Sequence, residues 1–547
     1  MNRSFVRELL IFLLLLASCV AAVKKLEVYN DDSVLEINLR NLRDSIPYIK
    51  QIYISPSSNV TLNITNISSN VAFYIVQIHA YLHPVTLSYD ANYKTSVYGS
   101  NIGLYVKSTF DKASTLFFKN EESYAIKAML VVMGYNDKAP IPGGCNMEFE
   151  TEIAPYAKVL TLDTMIVVDV QAASLPLING TAQTCEKSPV TLQMYQVFLP
   201  EQDRSVESYF SYITSMLTVS SIKEHGQEIT SSVLSNPMRR IFNAYTGTGS
   251  VYVAVANYGK HSAAYVPALS YGCNFVGDPE SCQVLNDSYS KFVCACCFFI
   301  GLFSVFFGHK CPLVDITIPV FFTGTVIGYI AAGQSITAGW VIGLVIAAVY
   351  GLCQHFMIFR LLLVLSLGSF FGCVAYFRFP ESFIITQSDG AFWALFATIA
   401  VSVSIIKLIL YSCTRGLLSC AIIGSYMIIL PFDYYTGSAL KYIIINIARR
   451  CTVSDFRFAI VQPPVQSKDI TLIVFWTLLA IWRCLKGFSV PILCQPSNAG
   501  SEETTHLLGE PTAPSAPSMP TLNSFSQSYR GYRGSHRGRK HSTYLHL

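Results

Sequence analysis

Seven long apolar segments between about Phe292 and Phe488 constrain this 547-residue chain more than any other feature. A helix needs ~20 residues to cross ~30 Å of hydrocarbon, and in lipid its backbone must satisfy its own hydrogen bonds. Only 13% of the residues are charged, whereas soluble domains carry about 25%. The sequence therefore predicts an all-α, seven-helix membrane bundle over residues 289–488. The predicted spans are Phe292–Gly308, Leu313–Gly333, Ile336–Phe359, Leu361–Phe377, Ala391–Leu410, Gly416–Phe432 and Ile470–Lys486.

The first residues have the layout of a secretory signal peptide. Arg3 and Arg7 precede the apolar run Leu9–Leu16, and small residues follow as far as Ala22. The apolar run is too short to span a bilayer comfortably. We predict a signal peptide over residues 1–22, with an uncleaved anchor as the alternative. Cleavage would leave the following residues outside the cytosol.

The region between the signal peptide and the bundle is predicted to be all-β. Runs such as Val71–Leu82 alternate with a period of two and are rich in β-branched and aromatic residues, which is typical of strands. The tripeptide Gly-Cys-Asn occurs at Gly144–Asn146 and again at Gly272–Asn274, each time after a strand, a polar turn and a proline. This repeat predicts two tandem β-sandwich units, over residues 23–153 and 154–288.

Four cysteines lie in this predicted luminal or extracellular region: Cys145, Cys185, Cys273 and Cys282. An even number in an oxidising compartment predicts two disulfides with three possible connectivities. The sequential pairing is the simplest, because each bond would join the end of one repeat to the segment immediately after it. A metal site is disfavoured, since these cysteines form no CxxC pair and have no histidine at ligand spacing.

The same region carries five Asn-x-Ser/Thr sequences, which predict N-glycosylation of a surface that faces away from the cytosol. The acceptor residues are Asn59, Asn63, Asn66, Asn179 and Asn286.

Orientation follows from the signal peptide, which predicts an external N-terminus and, after seven crossings, a cytosolic C-terminus. The rule that cytosolic loops are rich in lysine and arginine gives partial support. Residues 433–469, which this topology places outside, are an exception, and the central part Leu440–Ile447 is apolar enough to be an interfacial or re-entrant helix. An eighth crossing would move the tail outside. The cations in this loop are Lys441, Arg449, Arg450, Arg457 and Lys468.

Glycines recur at a spacing of four in three consecutive spans. A backbone without Cβ atoms allows two helices to approach closely in lipid. We therefore predict tight helix packing, either within one chain or in a homo-oligomer. The pairs are Gly324 with Gly328, Gly339 with Gly343, and Gly368 with Gly372.

Polar residues within the spans are few, and Asp315, His355 and Lys407 all lie near predicted span ends. Long or terminal side chains can reach the interface from such positions. We interpret them as boundary residues. The alternative is a transporter or channel in which Asp315 and Lys407 line a polar path.

No catalytic or cofactor-binding constellation is recognisable. The third span ends without an acidic-Arg-aromatic triplet and the seventh lacks Asn-Pro-x-x-Tyr, which disfavours a rhodopsin-type receptor. The last span contains no histidine, which disfavours a zinc hydrolase. The net charge of +4 is small for this length and argues against a nucleic-acid role. The sequence predicts a protein that is not an enzyme and has no cofactor.

Residues 489–547 are predicted to be a disordered cytosolic tail, because serine, proline and glycine replace the apolar periodicity. Glu503, Leu507 and Leu508 match an acidic dileucine sorting signal. Pro511-Thr512-Ala513-Pro514 resembles the tetrapeptide that recruits an endosomal-sorting complex. Both motifs predict sorting adaptors as partners and traffic between the plasma membrane and the endolysosomal system.

Eight short motifs occur in order along the chain: Ile67–Val71, Gln77–His79, Pro142–Asn146, Tyr195–Pro200, Ala263–Ala268, Phe307–His309, Asp389–Trp393 and Gly424–Tyr426. In this order they resemble the transmembrane 7 superfamily member 3 family, whose bundle is similar to that of the transmembrane protein 198 family. The resemblance implies a multipass membrane protein linked to cell survival, the unfolded-protein response and, in vertebrates, insulin secretion. It brings no catalytic residues, and the tail departs from the family apart from an acidic dileucine-like element.

We therefore expect a non-enzymatic, seven-pass membrane protein whose glycosylated β-ectodomain binds a luminal or extracellular partner. Stress-response signalling, cell survival and endomembrane traffic are the expected processes. A transporter, a channel and a receptor of non-rhodopsin type are the alternatives.

Overall fold

The computed structural model describes residues 27–29, 33–43, 46–108, 113–176, 185, 188–230, 238–282, 288–353, 357–379, 387–409 and 416–489. The predicted signal peptide, Asn179, Asn286 and the sorting signals of the tail lie outside these residues. Two β-sandwich domains precede a helix bundle, and the three pack as one unit. The predicted order of a β-rich region before a membrane bundle is confirmed.

The first domain is a sandwich of two five-stranded sheets. Its strands are β1 (Glu27–Tyr29), β2 (Ser33–Asn38), β3 (Tyr48–Ile54), β4 (Asn59–Thr65), β5 (Phe73–Ala80), β6 (Val85–Ser88), β7 (Ser96–Gly99), β8 (Asn101–Lys107), β9 (Ser114–Lys119) and β10 (Ile126–Tyr135). One sheet has the order β1-β3-β10-β5-β8 and the other β2-β4-β9-β6-β7. Alternation along β4 turns Val60, Leu62 and Ile64 into the core, because successive side chains of a strand point to opposite faces.

The second domain adds ten strands and two helices. They are β11 (Ile141–Cys145), β12 (Ala157–Thr161), β13 (Met165–Val170), β14 (Ala172–Ser174), β15 (Thr191–Phe198), α1 (Val206–Ser215), α2 (Val219–His225), β16 (Gln227–Ile229), β17 (Met238–Asn243), β18 (Ser250–Tyr258), β19 (His261–Ala264) and β20 (Ala268–Ser270). The main sheets are β12-β13-β17 and β16-β15-β18-β19, with β20 beside β18. Because β11 pairs with β14 of the second domain, the boundary between the two domains lies before Ile141. The boundary predicted from the sequence lies later, after residue 153.

Helix α1 joins the two sandwiches. Its buried residues Tyr209, Phe210 and Ile213 share one hydrophobic core with the first domain. The Tyr209 hydroxyl donates to the carbonyl oxygen of Ala80 at 3.0 Å and lies 3.2 Å from Oδ1 of Asn101. The two β-domains are therefore held against each other by a helix of the second.

A buried histidine lies beside this contact. Nδ1 of His79 is 2.9 Å from Oδ1 of Asn101, and Nε2 is 3.1 Å from the side-chain oxygen of Gln77. His79 is fully buried among these neutral groups, and burial lowers the pKa of His79 to about 4. Its imidazole is therefore neutral in the folded domain down to acidic pH.

Acidification is expected to loosen this contact through His79. Between pH 6.5 and pH 4 the unfolded chain binds the proton and the folded chain does not, so stability present above pH 6.5 is lost as pH falls. From pH 7.5 to 5.5 the loss is about 1 kcal/mol. Amide exchange of β5 in the full chain, corrected for intrinsic rates, measures it. His79→Gln should remove most of the extra pH dependence. His83→Gln, at a half-buried site four residues away, should keep it, and equal behaviour of the two variants would contradict the assignment.

In the part of the chain that the structure describes, the bundle has seven apolar helices and one shorter amphipathic helix. They are α3 (Ser288–Leu302), α4 (Pro312–Ala331), α5 (Ile336–Cys353), α6 (Met357–Phe377), α7 (Asp389–Ile409), α8 (Leu417–Thr436), the amphipathic α9 (Tyr442–Thr452) and α10 (Ser467–Ser489). After α3 the chain continues through a π-helical turn, Phe303–Phe307. Among the described residues, six helices are long and apolar enough to cross a membrane, whereas the apolar stretch Leu361–Phe377 of α6 is shorter.

Helix α6 nevertheless extends between the two ends of the bundle. Near its start, the carbonyl oxygen of Leu363 contacts Nζ of Lys407 in the last turn of α7. Near its end, the ring of Tyr376 packs 4.8 Å from that of Phe392 in the first turn of α7. We call the end that carries α9 and the second β-domain the domain-facing end, and the opposite end the distal end.

Glycines bring α4 and α5 together. A Cβ added to Gly324 would lie 3.3 Å from Cα of Gly343, and one added to Gly328 would lie 3.1 Å from Cα of Gly339. The two backbones are therefore in contact, as small residues allow in lipid.

The third glycine pair lies between α6 and α7. A Cβ on Gly368 would come to 2.2 Å from the carbonyl oxygen of Ala400, and one on Gly372 would meet the ring of Phe396 at 2.6 Å. All three pairs lie at helix contacts within one chain, so the oligomeric alternative is not needed to explain them.

Candidate functional site

The segment between α8 and α10, residues 437–466, connects the bundle to the second β-domain, and we call it the junction segment. Its strand β21 (Ala459–Ile460) adds to the domain's sheet in parallel with β17, pairing Ile241 with Ala459 and Phe242 with Ile460. A strand of the bundle region thus completes the sheet β12-β13-β17-β21. Backbone pairing of this kind fixes the relative position of the two parts.

Buried polar contacts reinforce the pairing. Nη1 of Arg449 donates to Oδ1 of Asn243 at 2.6 Å and to the carbonyl oxygen of Ala244 at 2.9 Å. Nδ2 of Asn243 donates to Oδ1 of Asn446 at 3.0 Å. The hydroxyl of Tyr245 donates to the carbonyl oxygen of Val461 at 2.5 Å. These groups are buried, so leaving any of them unpaired would cost the desolvation of a polar group.

Two carboxylates of the spanning helices bind the backbone of the junction segment. Asp433, near the end of α8, accepts from the amide nitrogens of Leu440 and Lys441 at 2.7 and 2.8 Å. Asp469, near the start of α10, accepts from the amide nitrogen of Ala439 at 2.7 Å. The turn at residues 437–441 is therefore tied to both helices that flank it.

A third acidic residue comes from the β-domain. The backbone amide of Glu201 donates to Oε1 of Gln466 at 2.7 Å, and Nε2 of Gln466 donates to the carbonyl oxygen of Leu199 at 2.7 Å. Burial raises the pKa of Glu201 to about 8, and the nearby Asp469 carboxylate adds to the shift. Nζ of Lys468 lies 3.7 Å from the Glu201 carboxylate.

These contacts explain the cations that conflict with the charge rule for external loops. Arg449 binds the β-domain, Nζ of Lys441 lies 3.5 Å from Asp433, and Arg450 donates to Asp389 at the start of α7 at 2.6 Å. Arg457 also lies within 3.5 Å of Asp389. The positive charges of the junction segment therefore make packing contacts. The helix predicted at 440–447, either interfacial or re-entrant, corresponds to α9 (Tyr442–Thr452), and its position relative to the membrane stays a prediction.

An apolar cavity of about 290 Å³ lies at the domain-facing end of the bundle. Side chains of α3, α4, α5 and α8 line it, α9 and Arg449 border it, and Thr164 of the second β-domain also contributes. Its size is near the lower limit for small-molecule sites, and a mostly apolar lining with few charged groups is typical of them. This cavity and the junction segment form the candidate site.

A second buried polar cluster occupies the distal end. Nη2 of Arg483 in α10 lies 2.6 Å from Oδ2 of Asp315 in α4, and both side chains are 4% exposed. Oγ of Ser304, in the π-helical turn, donates to Oδ1 of Asp315 at 2.6 Å, and Nε of Arg483 donates to the carbonyl oxygen of Ser304 at 3.0 Å. Asp315 lies in the first turn of α4, near the span end as predicted, but its carboxylate is buried against Arg483, so the expectation that it reaches the interface is wrong.

Lys407 is buried as well, with 1% exposure. Its ammonium contacts Oγ of Ser419 and lies 3.4 Å from the carbonyl oxygen of Leu363. Among the described residues it forms no ion pair within 4 Å. Lys407 also lies near the span end as predicted, in the last turn of α7. Neutral acceptors on α6 and α8 hold its ammonium inside the bundle, so the expectation that it reaches the interface is wrong. The side chain of His355 lies outside the described part.

The four ectodomain cysteines form two disulfides in the structure, Cys145 with Cys185 and Cys273 with Cys282. Disulfide bonding of the ectodomain is thus confirmed, with the sequential connectivity. The repeated tripeptide has a structural counterpart, since Asn146 and Asn274 each accept at Oδ1 from the amide three residues later, at 2.9 Å.

Three of the predicted glycosylation sites lie on or beside β4. Asn59 and Asn63 share the outer face of that strand, and Asn66 follows it in an exposed turn. Asn59 is exposed and Asn63 is half-buried. Glycosylation at these positions stays a prediction.

Within the described ranges, no group of three or more His, Cys, Asp or Glu side chains could hold a metal ion. Sequence reasoning named Asp315 and Lys407 but missed Arg483 as a partner, Arg449 as a contact to the β-domain and the cavity. The arginines in a predicted external loop were the available signal.

Three domain families match the chain. Residues 40–135 match the TM7SF3-like N-terminal immunoglobulin-like domain, residues 140–276 the TM7SF3-like second immunoglobulin-like domain, and residues 294–487 the TM7S3/TM198-like domain. Both β-sandwiches are therefore immunoglobulin-like. These are not domains of a known enzyme family.

Proteins from three mammals that are similar to this chain over most of its length share the same name. Transmembrane 7 superfamily member 3 of Homo sapiens is 28% identical over 449 residues, which are 76% of this chain and 77% of that protein. The Mus musculus protein of that name is 26% identical over 506 residues, 86% of each chain. The resemblance inferred from short motifs is confirmed, and with it a multipass membrane architecture.

Proposed function

We propose that this multipass membrane protein, which is similar to transmembrane 7 superfamily member 3 over most of its length, is a member of that family and a non-enzymatic, receptor-like protein. Its immunoglobulin-like ectodomain binds a luminal or extracellular protein partner, and the helix bundle responds to that binding. Stress-response and cell-survival signalling is the process that the family resemblance favours.

The contact between Asn243 of the second domain and Arg449 of the junction segment carries this proposal. A tethered binding module needs only a flexible linker, whereas here the donor Arg449, the acceptor Asn243 and the strand pair β17–β21 join the domain to the bundle. Asp433 and Asp469 connect the same segment to α8 and α10. A displacement of the domain therefore acts on two spanning helices, which supports coupling between binding and bundle.

The test removes the contact and measures survival. Cells lacking the endogenous protein receive the wild type or Asn243→Ala and are challenged with an inhibitor of protein folding in the secretory pathway. We expect the wild type to restore survival and Asn243→Ala to restore less than half as much at an equal amount in the membrane. Asn257→Ala is the matched control, since Asn257 bonds to Gln193 and Ser262 within its own domain. Equal rescue by Asn243→Ala and wild type would refute the coupling.

Traffic is the second part of the proposal. We place the N-terminus outside or in the lumen and the tail in the cytosol, at the plasma membrane or in the endolysosomal system, where adaptors would bind the tail. Replacing Leu507 and Leu508 with alanine is expected to raise the amount at the cell surface severalfold, measured by surface biotinylation. Replacing Met519 and Leu522 with alanine serves as the control, and an unchanged surface amount in the dileucine variant would contradict adaptor binding.

Transport is the weaker candidate. It requires Asp315 and Lys407 to line one polar path, yet Arg483 binds the first and Ser419 contacts the second. Both side chains are almost fully buried by packing, which supports a closed distal end rather than a conduit.

A further inference from the structure

The apolar cavity at the domain-facing end combines an apolar lining with a cationic border. Phe321 and Trp340 both line it and pack edge to face, with ring centroids 5.4 Å apart. Val326 and Ile445 on its walls are only half-buried, so the cavity is open beside the apolar surfaces of spanning helices. A ligand dissolved in the membrane could therefore enter from the side.

The border carries Arg449, which is 8% exposed. Nη1 donates two hydrogen bonds to neutral oxygens, of Asn243 and Ala244, and the Tyr442 side chain is a further hydrogen-bond partner of the guanidinium. The ring of Tyr442 lies 5.3 Å from the guanidinium carbon. Within the described ranges, no carboxylate lies within 4 Å of Arg449. A guanidinium has five N–H donors, so donors remain for a further acceptor.

Charge near the border remains positive. Lys441 also lines the cavity, and it is paired with Asp433 at 3.5 Å. The pair is close to neutral, so the charge of Arg449 has no counter-ion among the described residues. Burying an unpaired guanidinium is costly, and an anionic group bound to it would offset that cost.

We propose that this cavity binds a single-chain anionic amphiphile, with the head group, a carboxylate or a phosphate, on Arg449 and the chain among the apolar walls. A volume of about 290 Å³ suits one chain better than the bulk of a two-chain lipid. The proposal shares Arg449 with the coupling proposed above, but it is tested by ligand binding to the purified chain, whereas the coupling is tested by cell survival with Asn243→Ala, so either can fail without the other. The anionic amphiphile is either a free fatty acid or a lysophospholipid.

Head-group selectivity of the wild-type chain is the first test. The purified full chain in a non-ionic detergent is incubated with oleate, oleoyl lysophosphatidate, oleyl alcohol or oleoyl lysophosphatidylcholine, and bound adducts are counted by native mass spectrometry. We expect one anionic ligand per chain, bound at least about tenfold more tightly than the alcohol, because a charge-assisted hydrogen bond contributes roughly 1.5–3 kcal/mol. The stronger of oleate and lysophosphatidate identifies the source. Equal binding of acids and alcohol would overturn the proposal.

Two variants locate the site. Arg449→Gln is expected to reduce binding of both anions to the level of the alcohol, whereas Ala448→Trp, which fills the cavity, should weaken every ligand. Arg457→Gln is the matched control, because this arginine of the junction segment is 43% exposed and does not line the cavity. If Arg449→Gln fails to fold, the head-group selectivity of the wild type and the loss of binding in Ala448→Trp still test the proposal. Anion binding that survives Ala448→Trp unchanged would refute this location.

Discussion

Replacing Asp315 with alanine is expected to lower the free energy of unfolding of the bundle by about 3–5 kcal/mol, the usual cost of removing one partner from a buried ion pair. The variant would leave Arg483 charged and buried, with Ser304 as its remaining neutral acceptor. Water cannot easily reach the site to compensate, because both side chains are 4% exposed. The midpoint of unfolding of the purified full chain in increasing denaturing detergent measures the loss.

The double variant Asp315→Leu with Arg483→Met separates a lost partner from a lost pair. Replacing both charges with apolar side chains is often neutral, since the attraction of a buried pair roughly offsets its desolvation. We expect the double variant to unfold within about 1 kcal/mol of wild type. Arg457→Gln, which breaks a partly exposed pair, should cost no more than about 1 kcal/mol. A single variant as mild as Arg457→Gln would show that Asp315 is not buried as a charge.

The distal cluster marks the limit of sequence reasoning about the bundle. Apolar length locates the helices to within a few residues, because it depends on local composition. Whether Asp315 lies at the interface or in the bundle depends on Arg483, 168 residues away. The same contact explains Gly308, because a Cβ added there would lie 2.5 Å from the carboxyl carbon of Asp315. It also explains the π-helical turn, which places Ser304 beside Asp315. No periodicity within α4 contains that information.

The ectodomain was more accessible to prediction. Period-two alternation and the repeated Gly-Cys-Asn tripeptide identify two β-sandwiches, and each tripeptide supplies one disulfide. The strand that completes the second domain could not be predicted, because β21 consists of two residues from the region between α8 and α10. The only sequence signal of this contact was charge, because arginines are unexpected in a predicted external loop. For Arg449 the structure gives the reason, since its side chain binds the second β-domain.

Removing the disulfide that closes the longer loop, Cys145–Cys185, should give the second large loss of stability. Cys145 and Cys185 are 40 residues apart, and Cys273 and Cys282 are 9 apart. In the chain-entropy account a bond that closes a 40-residue loop stabilises by about 4 kcal/mol, and one that closes about 10 residues by about 3 kcal/mol. Replacing both Cys145 and Cys185 with serine is therefore expected to cost more than the same change at Cys273 and Cys282, measured by urea unfolding of the full chain.

The longer loop also carries the strands that lead to the bundle. It contains β12 and β13, and β13 pairs with β17, which pairs with β21 of the junction segment. We therefore expect the variant without Cys145–Cys185 to show faster amide exchange at Ala459 and Ile460, whereas the variant without Cys273–Cys282 should leave that exchange within about twofold of wild type. If both variants lower the free energy of unfolding equally, loop entropy does not determine the order of their stabilities. If neither variant changes amide exchange at β21, the strands β12 and β13 do not stabilise the junction segment. A larger cost together with faster exchange at β21 would tie the stability of the ectodomain to its contact with the membrane helices.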